Sequence, residues 1–472
     1  MNELSSVAAV DALRAFRERS LSPVELLEAV IARAEAVEPT LNAFSETRFD
    51  EALVQAKEAE ARYQKGGRVR PLEGLPVALK DEAEVKGWKA TFGSLAFRDQ
   101  IADHTAPVAW RILRSGAIVH ARTTTPEFSC APYTHSRLWG VTRNPWNPEF
   151  AVGGSSGGSG AALAAGTAAL ASGSDIGGSI RIPASFNGVV GFKPPHGRVP
   201  VEPPFNLDQY CHEGPLARTV ADCALLENVM AGPHPRDVTS LRPKIRIPPE
   251  LKGIEGWRIG LSLDLGGYRV DDEVAKRTLE AADALREAGA IVEEVEIGWD
   301  LEAIVRSARI HFGAIFGAEI GEVAAEHREL LTEYALAFAE EAAAVPPGAF
   351  LEGLRLEAEI YAHLGRSLQR YRALVCPTMA VTGFAAGDDY LGRTREDGGP
   401  LDRQFDACMT VPFNVCSRCP VLAVPSGFAS NGVPTGIQVV GRTFDDVGVF
   451  RIGAALERVR PWLDAPERRP RI

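Results

Sequence analysis

A segment rich in glycine and serine, residues 153–191, most constrains what this chain can fold into. Eleven glycines and seven serines fill 18 of its 39 positions, and alanines and larger apolar residues are interleaved with them. Gly/Ser tracts that lack apolar residues behave as flexible linkers, whereas small residues mixed with apolar ones indicate close backbone packing and turns with positive φ. The segment is therefore predicted to be ordered and closely packed.

From Leu75 onward, short apolar runs that are typical of strands alternate with helical patterns. The strand-like runs are PVALK, AIVHA, WRIGLSL, AIVEEVEI, ALVCPT, VLAVP and TGIQVV. Alternation of this kind predicts an α/β fold in which a sheet is covered by helices on both faces. No linker divides the chain, so we expect one large domain over residues 66–472. Within it, the almost wholly helical residues 300–372 are expected to form a subdomain or a cap.

Ser22 opens a helix-start pattern near the N-terminus, with Pro23 at the first helical position and Glu25 closing a capping box. Apolar residues follow at helical spacing, and a second helical pattern covers residues 50–63. We therefore expect a helical layer over residues 1–65 that covers the core of its own chain. An interface in a homodimer is the alternative role for this layer.

Charge and cysteine content exclude several classes of protein. The chain carries 62 acidic and 51 basic residues, a net charge of −11, and has no basic run that would neutralise phosphates. Neither nucleic acid nor a membrane is therefore expected as a partner, and no apolar stretch has the length of a membrane span. The N-terminus lacks the pattern of a secretory signal, and the seven cysteines have no disulfide-framework spacing. We expect a reduced, cytoplasmic enzyme, with Cys416 and Cys419 as packed thiols rather than metal ligands.

Two serines of the glycine-rich segment are candidate nucleophiles. The run Gly153–Gly157 matches GxSxG, the nucleophile elbow of α/β-hydrolases, with Ser155 at its centre. The run NPEFAV before it is a weak strand, however, and no histidine lies late in the chain. In DIGGS, residues 175–179, two glycines before Ser179 allow successive backbone N–H groups to converge beside its hydroxyl, as an oxyanion hole requires. A tight structural turn explains the same pattern equally well.

A catalytic serine needs a base, and the sequence around His196, His212 and His234 marks none of them as one. The other candidate is a lysine, which accepts a proton only when burial keeps it neutral. Lys80 ends the apolar run of residues 75–79, where a strand would carry it into the interior. Lys80 is therefore the candidate base.

Three motifs in this order resemble those of the amidase signature family: Lys80, the run GGSSGG from Gly153 and the run SDIGGSIRIP from Ser174. A separation of 75 residues between Lys80 and Ser155, and of 24 between the two serines, matches the family pattern. Further runs such as GFKPPHGRVP and GPLARTVAD extend the resemblance over residues 21–459. The resemblance implies a single large domain with a central, twisted, mixed β-sheet between helices.

The same resemblance implies a mechanism. Ser179 attacks an amide carbonyl, Ser155 relays its proton, and neutral Lys80 accepts it; an acyl-enzyme forms, and water releases the acid. The Gly154–Ser155 peptide is implied to be cis, and no metal or organic cofactor is needed. The implied substrate is a small-molecule amide, with esters, carbamates and hydrazides as related substrates. The backbone N–H groups implied to bind the oxyanion are those of Ile176, Gly177, Gly178 and Ser179.

Further residues are expected to support the site. Asp175 and Arg181 flank the nucleophile and are expected to pair and fix the loop, since buried charges need partners. Ser156 is expected to hydrogen-bond within the serine network. By analogy with the family, the candidate pocket residues are Ser129, Cys130 and Tyr133, and the candidate lining segments are 128–139, 310–316 and 378–388.

Two other functions stay open. The glutaminase subunit of an amidotransferase resembles this chain in its core, but it holds the substrate ammonium with an acidic residue three places before the Thr of an xTxPxN segment. Here that position is Ala407, with Asp406 one place earlier, so a broad-range amidase with an apolar pocket is the preferred interpretation. An inactive binding protein on the same fold is disfavoured, because an idle site has no physical need for a lysine and two serines at these spacings.

Overall fold

The computed structural model describes residues 4–346, 348–388 and 406–472. Its strands are β1 (Phe44–Thr47), β2 (Pro76–Lys80), β3 (Ile118–Thr123), β4 (His135–Ser136), β5 (Gly140–Val141), β6 (Leu170–Asp175), β7 (Val190–Lys193), β8 (His212–Ala217), β9 (Arg258–Leu261), β10 (Ile291–Glu294), β11 (Ala373–Pro377), β12 (Val421–Phe428) and β13 (Pro434–Gly441). Its α-helices are α1 (Ala9–Glu18), α2 (Pro23–Leu41), α3 (Phe49–Lys65), α4 (Pro107–Arg114), α5 (Gly157–Ala165), α6 (Arg181–Asn187), α7 (Val220–Met230), α8 (Asp272–Glu287), α9 (Leu301–Ala314), α10 (Phe316–His327), α11 (Glu333–Ala343), α12 (Ala349–Arg370), α13 (Pro412–Val415) and α14 (Asp446–Val459). Each of the seven strand-like runs contributes a strand.

Eleven strands form one sheet in the order β1-β3-β2-β6-β8-β7-β12-β13-β11-β9-β10, and β4 pairs with β5 separately. The pairs β2–β3, β2–β6, β9–β11 and β9–β10 are parallel, and the other pairs of the large sheet are antiparallel. Strands β2, β3, β7 and β11 are buried at every residue, as expected where helices cover both faces of a sheet. The predicted α/β architecture with a mixed sheet is confirmed.

The N-terminal helices pack on the main body of the chain. Helix α2 begins with the predicted capping box: the Ser22 hydroxyl accepts from the Val24 N–H at 2.9 Å, and the Glu25 carboxylate accepts from the Ser22 N–H at 2.8 Å. Apolar residues of α1 and α2 belong to the large core cluster that also contains residues of α7, α8 and α14. These helices therefore cover the core of their own chain, while a layer boundary at residue 65 stays a prediction.

Helices α9 to α12 lie between residues 301 and 370, within the stretch for which the sequence predicts an almost wholly helical region. Its apolar residues join the aromatic-rich core cluster beside β11. Helix α9 ends and α10 begins at the wall of the site described below, with Phe312 and Phe316 as wall residues. Whether residues 300–372 form a separate subdomain stays a prediction.

Cys416 and Cys419 are buried free thiols, and burial raises the pKa of both. In the part of the chain that the structure describes, no group of three or more His, Cys, Asp or Glu side chains is arranged to hold a metal ion. None of the described helices is both long and apolar enough to cross a membrane.

Candidate active site

The glycine-rich segment lies at the centre of the molecule. Residues 153–191 run through α5, β6 and α6 and are buried at nearly every position. A Cβ atom at Gly158 would lie 2.5 Å from the carbonyl oxygen of Ala43. At Gly178, where φ is +127°, a Cβ atom would overlap the side chain of Thr410. Glycine is required at these points because other backbone or side-chain atoms already fill the space, so the prediction of an ordered, closely packed segment is confirmed.

Strand β2 carries Lys80 into the interior, where it is 1% exposed. Its Nζ donates to the Ser155 hydroxyl at 2.6 Å and to the Ser174 hydroxyl at 2.9 Å, and it lies 3.1 Å from Oε1 of Glu82. The Gly154–Ser155 peptide is cis, as the resemblance implies. The structure thus brings Lys80 and Ser155 into direct contact.

The two candidate nucleophiles differ in accessibility. Ser155 is 0% exposed, whereas Ser179 is 7% exposed and lines a cavity of about 50 Å³. No hydrogen bond joins the two hydroxyls among the described residues, but the N–H of Ser156 donates to the carbonyl oxygen of Ser179 at 3.1 Å. The Ser156 hydroxyl contacts the backbone carbonyl and N–H of Ser174 at 3.4 and 3.3 Å. Backbone contacts therefore hold the two serines on adjacent segments.

The nucleophile-elbow interpretation of Ser155 finds no support in its surroundings. An elbow places its serine at the end of a strand, whereas no described strand ends at Gly154. Of the three histidines weighed as bases, His212 lies nearest the nucleophile turn: its Nδ1 is 2.7 Å from the Tyr210 carbonyl oxygen and 3.1 Å from that of Asp175. Lys80, not a histidine, is the basic group beside Ser155.

Ile176, Gly177 and Ser179, in the turn that carries the nucleophile, all line the cavity. Their N–H groups have no hydrogen-bond acceptor within the described residues. The N–H of Gly178 instead donates to the Asp175 carboxylate at 2.9 Å. The resemblance implied four N–H groups for an oxyanion; the structure leaves three of them free, because Asp175 occupies the fourth.

Asp175 and Arg181 form the expected ion pair, at 2.8 Å and without solvent exposure. Burial alone would raise the pKa of Asp175, but the charge and hydrogen bonds of Arg181 and a hydrogen bond from Asn414 outweigh it and hold that pKa below its usual range. Arg181 also donates to the side chains of Gln438 and Asn414, each at 2.6 Å, and Thr410 donates to the Gly177 carbonyl oxygen at 2.6 Å. This network fixes the turn that carries Ser179.

The cavity at Ser179 is mainly apolar. Ser129 and Cys130 line it, as expected, and Phe312 and Phe316 come from the predicted segment 310–316. Tyr133 does not line it, which corrects the expectation: this residue is 0% exposed, and its ring stacks on His135. The segment 378–388 contributes no lining residue either. Further lining residues are Ala131, Pro132, Gly154, Ile182, Phe338 and Cys408.

Sequence reasoning missed Glu82 as a neighbour of Lys80. Its Oε2 accepts from the Ser129 hydroxyl at 2.5 Å, so one carboxylate links the candidate base to the wall of the cavity. Burial would raise the pKa of Glu82, but the charge of Lys80 and hydrogen bonds from Ser129, Ser174 and Lys80 outweigh burial and lower it. The signal was available in the run Lys80-Asp81-Glu82, although the run alone does not show which acid turns toward the lysine.

The fold and this arrangement together are those of an α/β enzyme that hydrolyses amide C–N bonds. The sequence profile named Amidase matches residues 25–450, and the chain belongs to this family, the amidase signature family. It is 35% identical to a glutamyl-tRNA(Gln) amidotransferase subunit from Thermosynechococcus vestitus, covering 94% of this chain and 96% of the relative. It is 32% identical to an acylamidase of Rhodococcus erythropolis, covering 97% and 96%. Among solved structures, a bacterial aryl acylamidase superposes with a TM-score of 0.90 at 29% identity, covering 96% of both chains.

Proposed function

We propose that this protein is a broad-range amidase of the aryl acylamidase type, acting through an acyl-enzyme on Ser179 with Ser155 as proton relay and Lys80 as base. The observation that carries the proposal is the buried 2.6 Å hydrogen bond from Lys80 to Ser155, beside the turn that presents Ser179 to a cavity. A buried amine that touches a serine hydroxyl is arranged to take a proton from it.

The proposed reaction follows from these contacts. As Ser179 attacks the substrate carbonyl, its proton passes to Ser155, and the Ser155 proton passes to Lys80. The free N–H groups of Ile176, Gly177 and Ser179 stabilise the negative oxygen of the tetrahedral intermediate. Its collapse breaks the C–N bond, and the leaving amine takes the proton back through Ser155. Water then attacks the acyl-enzyme by the same relay and releases the acid.

The cavity favours an apolar acyl or aryl group over a polar one, since three phenylalanines and Ile182 line it. This lining and the likeness to acylamidases support amides, with esters, carbamates and hydrazides as further substrates. A panel that varies only the bond type, with the aryl and acyl groups kept constant, ranks these four classes by kcat/KM.

The glutaminase role within an amidotransferase is the second candidate, because relatives named as amidotransferase subunits are up to 35% identical among those compared. Against it stands Ala407, a buried methyl group at the position where the resemblance expects an acid for the ammonium of glutamine. Hydrolysis of aryl amides by the purified chain alone favours the amidase. Ammonia release from glutamine that requires partner subunits favours the other role.

Replacement of the nucleophile tests the proposal. We expect Ser179→Ala to lower kcat/KM for an aryl amide by roughly 10³-fold or more, as in other serine hydrolases that lose their nucleophile. A fluorophosphonate should label Ser179, as located by tandem mass spectrometry, and the label should be absent from the variant. The matched control is Ser430→Ala at an exposed serine, which should keep full activity. A label on Ser155, or unchanged activity of Ser179→Ala, would contradict the proposal.

A further inference from the structure

A second cavity of about 310 Å³, here called the side cavity, adjoins the one at Ser179. Ser129, Ile176 and Phe316 line both cavities, so the two meet at the turn that presents the nucleophile. The rings that form apolar walls of the side cavity are those of Phe92, Phe97, Phe128, Phe205 and Phe316. A substrate held at Ser179 therefore has an aromatic chamber beside it.

A partly buried carboxyl group in this chamber, that of Glu213, has no partner among the described residues. Glu213 lies on β8 directly opposite Ser174 of β6, so both side chains point to the same face of the sheet. The Ser174 hydroxyl binds Lys80 on that face, which places the Glu213 carboxyl near the catalytic lysine. Within the described residues this carboxyl makes no hydrogen bond and no ion pair.

Three of the other carboxylates of the side cavity have partners, among them Asp175, which pairs with Arg181. Glu82 lies against Lys80, and Glu202 pairs with Arg236. Glu319 also makes no hydrogen bond or ion pair within the described residues, but unlike Glu213 it is exposed, in the wall formed by α10. Glu213 is therefore the partly buried carboxyl of the cavity that still has its hydrogen-bonding capacity to offer to a ligand.

The electrostatic surroundings of Glu213 indicate which kind of ligand its carboxyl group favours. Burial raises the pKa of Glu213 well above its usual range, and repulsion from Glu82 and Glu202 adds to the effect, which attraction to Lys80 offsets only in part. A positively charged ligand group near both carboxylates would add to the attraction from Lys80 and favour their ionised forms. Aromatic faces attract the same kind of group, because their ring quadrupoles favour cations.

We propose that the side cavity binds a cationic part of the substrate, a protonated amine on an apolar stem, and that Glu213 selects it. The stem packs between the phenylalanine rings, and the ammonium donates to Glu213. This inference rests on the proposed function, since it assumes that the amide is cleaved at Ser179. It narrows the substrate class to amides that carry an amine on one side of the scissile bond.

Binding tests the side cavity independently of catalysis. In the Ser179→Ala background, calorimetry compares hexylammonium with 1-hexanol, which has the same stem without the charge. We expect hexylammonium to bind at least about tenfold more tightly, and Glu213→Gln to abolish that difference. Titrations in buffers of different ionisation enthalpy should show a proton released as Glu213 ionises. The matched control, Glu294→Gln at an exposed glutamate of β10, removes the same charge and should keep the preference.

Equal affinity for the two ligands overturns the inference, as does a preference that survives in Glu213→Gln. If Glu213→Gln does not fold, as judged by its thermal transition, the ligand preference and proton release of the parent protein decide the matter alone. Absence of either the ligand preference or the proton release then counts against the proposal that the side cavity binds a cationic group.

Turnover separates the failure of this inference from that of the proposed function. Two substrate pairs place the charge on either side of the bond: 6-aminohexanoyl against heptanoyl p-nitroanilide, and phenylacetamides of 1,6-diaminohexane against heptylamine. In at least one pair, we expect Glu213→Gln to lower the ratio of kcat/KM for the charged over the neutral substrate by about tenfold or more. If Ser179-dependent hydrolysis occurs but neither ratio depends on Glu213, the side-cavity inference fails alone. If no amide is hydrolysed, the proposed function fails, while the binding comparison still decides the side cavity.

Discussion

Lys80 lies between the hydroxyl of Ser155 and the carboxylate of Glu82, and the two contacts have different consequences. The hydroxyl is the group from which Lys80 takes a proton in the proposed mechanism. The carboxylate, which its surroundings keep ionised, stabilises the ammonium that results. Glu82 is therefore a positioning residue that acts through Lys80 rather than on the substrate.

Substitution of Glu82 should separate this role from a structural one. We expect Glu82→Gln to lower kcat by roughly 10- to 100-fold with little change in KM, since a lost charge-assisted contact costs about 1.5–3 kcal/mol. The control is Glu84→Gln, whose carboxylate contacts His104. A change in KM as large as the change in kcat would argue for a structural role instead.

At the scale of the elements, helix α1 begins without a side-chain cap of its own, since Ala8 occupies the N-cap position. Asp222, in the first turn of α7, supplies the missing acceptors: its carboxylate accepts from the N–H groups of Ala9 and Val10 at 3.0 and 2.9 Å. Unsatisfied N–H groups at a buried helix end are costly, so this contact ties the N-terminal helix to the main body.

Removal of the carboxylate should loosen the helix that it caps. We expect Asp222→Ala to lower the free energy of unfolding by about 1–3 kcal/mol, because two buried N–H groups lose their acceptor. Amide hydrogen exchange should increase mainly over residues 9–18. Asp11→Ala, which removes an exposed ion pair with Arg14, is the control and should have little effect on either measurement. Unchanged exchange in α1 would show that packing alone holds the helix.

At the scale of the whole molecule, His311 joins the helical region to the catalytic body. Its Nε2 lies 2.6 Å from Asp208, its Nδ1 3.5 Å from Glu357, and its ring stacks on Tyr210 at 3.6 Å. The carbonyl oxygen of Tyr210 accepts from Asn414, which also binds Asp175. A continuous path of contacts therefore runs from α9 to the turn of Ser179.

The charge of His311 makes this junction sensitive to pH. Burial would lower the pKa of His311, but the hydrogen bonds and charges of Asp208 and Glu357 outweigh it and raise that pKa to about 9. A pKa raised by folding stabilises the native state fully below the unfolded value of about 6.5, and this contribution is lost as pH rises toward 9. We expect the stability deficit of His311→Gln in urea unfolding to be largest at pH 6 and to shrink by pH 9. A deficit that does not change with pH would contradict this assignment.

The sequence by itself determined the architecture and marked the residues that we propose for catalysis. Alternating strand and helix patterns, the capping box at Ser22, and the spacings of Lys80, Ser155 and Ser179 are local or one-dimensional signals. Such signals survive in the sequence because each depends on residues close together or on a fixed separation. The resemblance to the amidase signature family then predicted the cis peptide between Gly154 and Ser155, and the order of the motifs matched that of the family.

Only the tertiary structure decided which groups surround these residues. Glu82 contacts Lys80, and Glu213 lines the side cavity. The Asp175 carboxylate accepts from the N–H of Gly178, and the ring of Tyr133 stacks on His135 instead of lining the cavity at Ser179. Asn414 and Gln438 reach Arg181 across more than 200 residues of chain. The orientation of a side chain depends on elements that are distant in sequence and packed together by the sheet, and no local pattern records it. For the same reason, the sequence motifs predict which bond is cleaved, whereas the substrate has to be inferred from the residues that line the cavity.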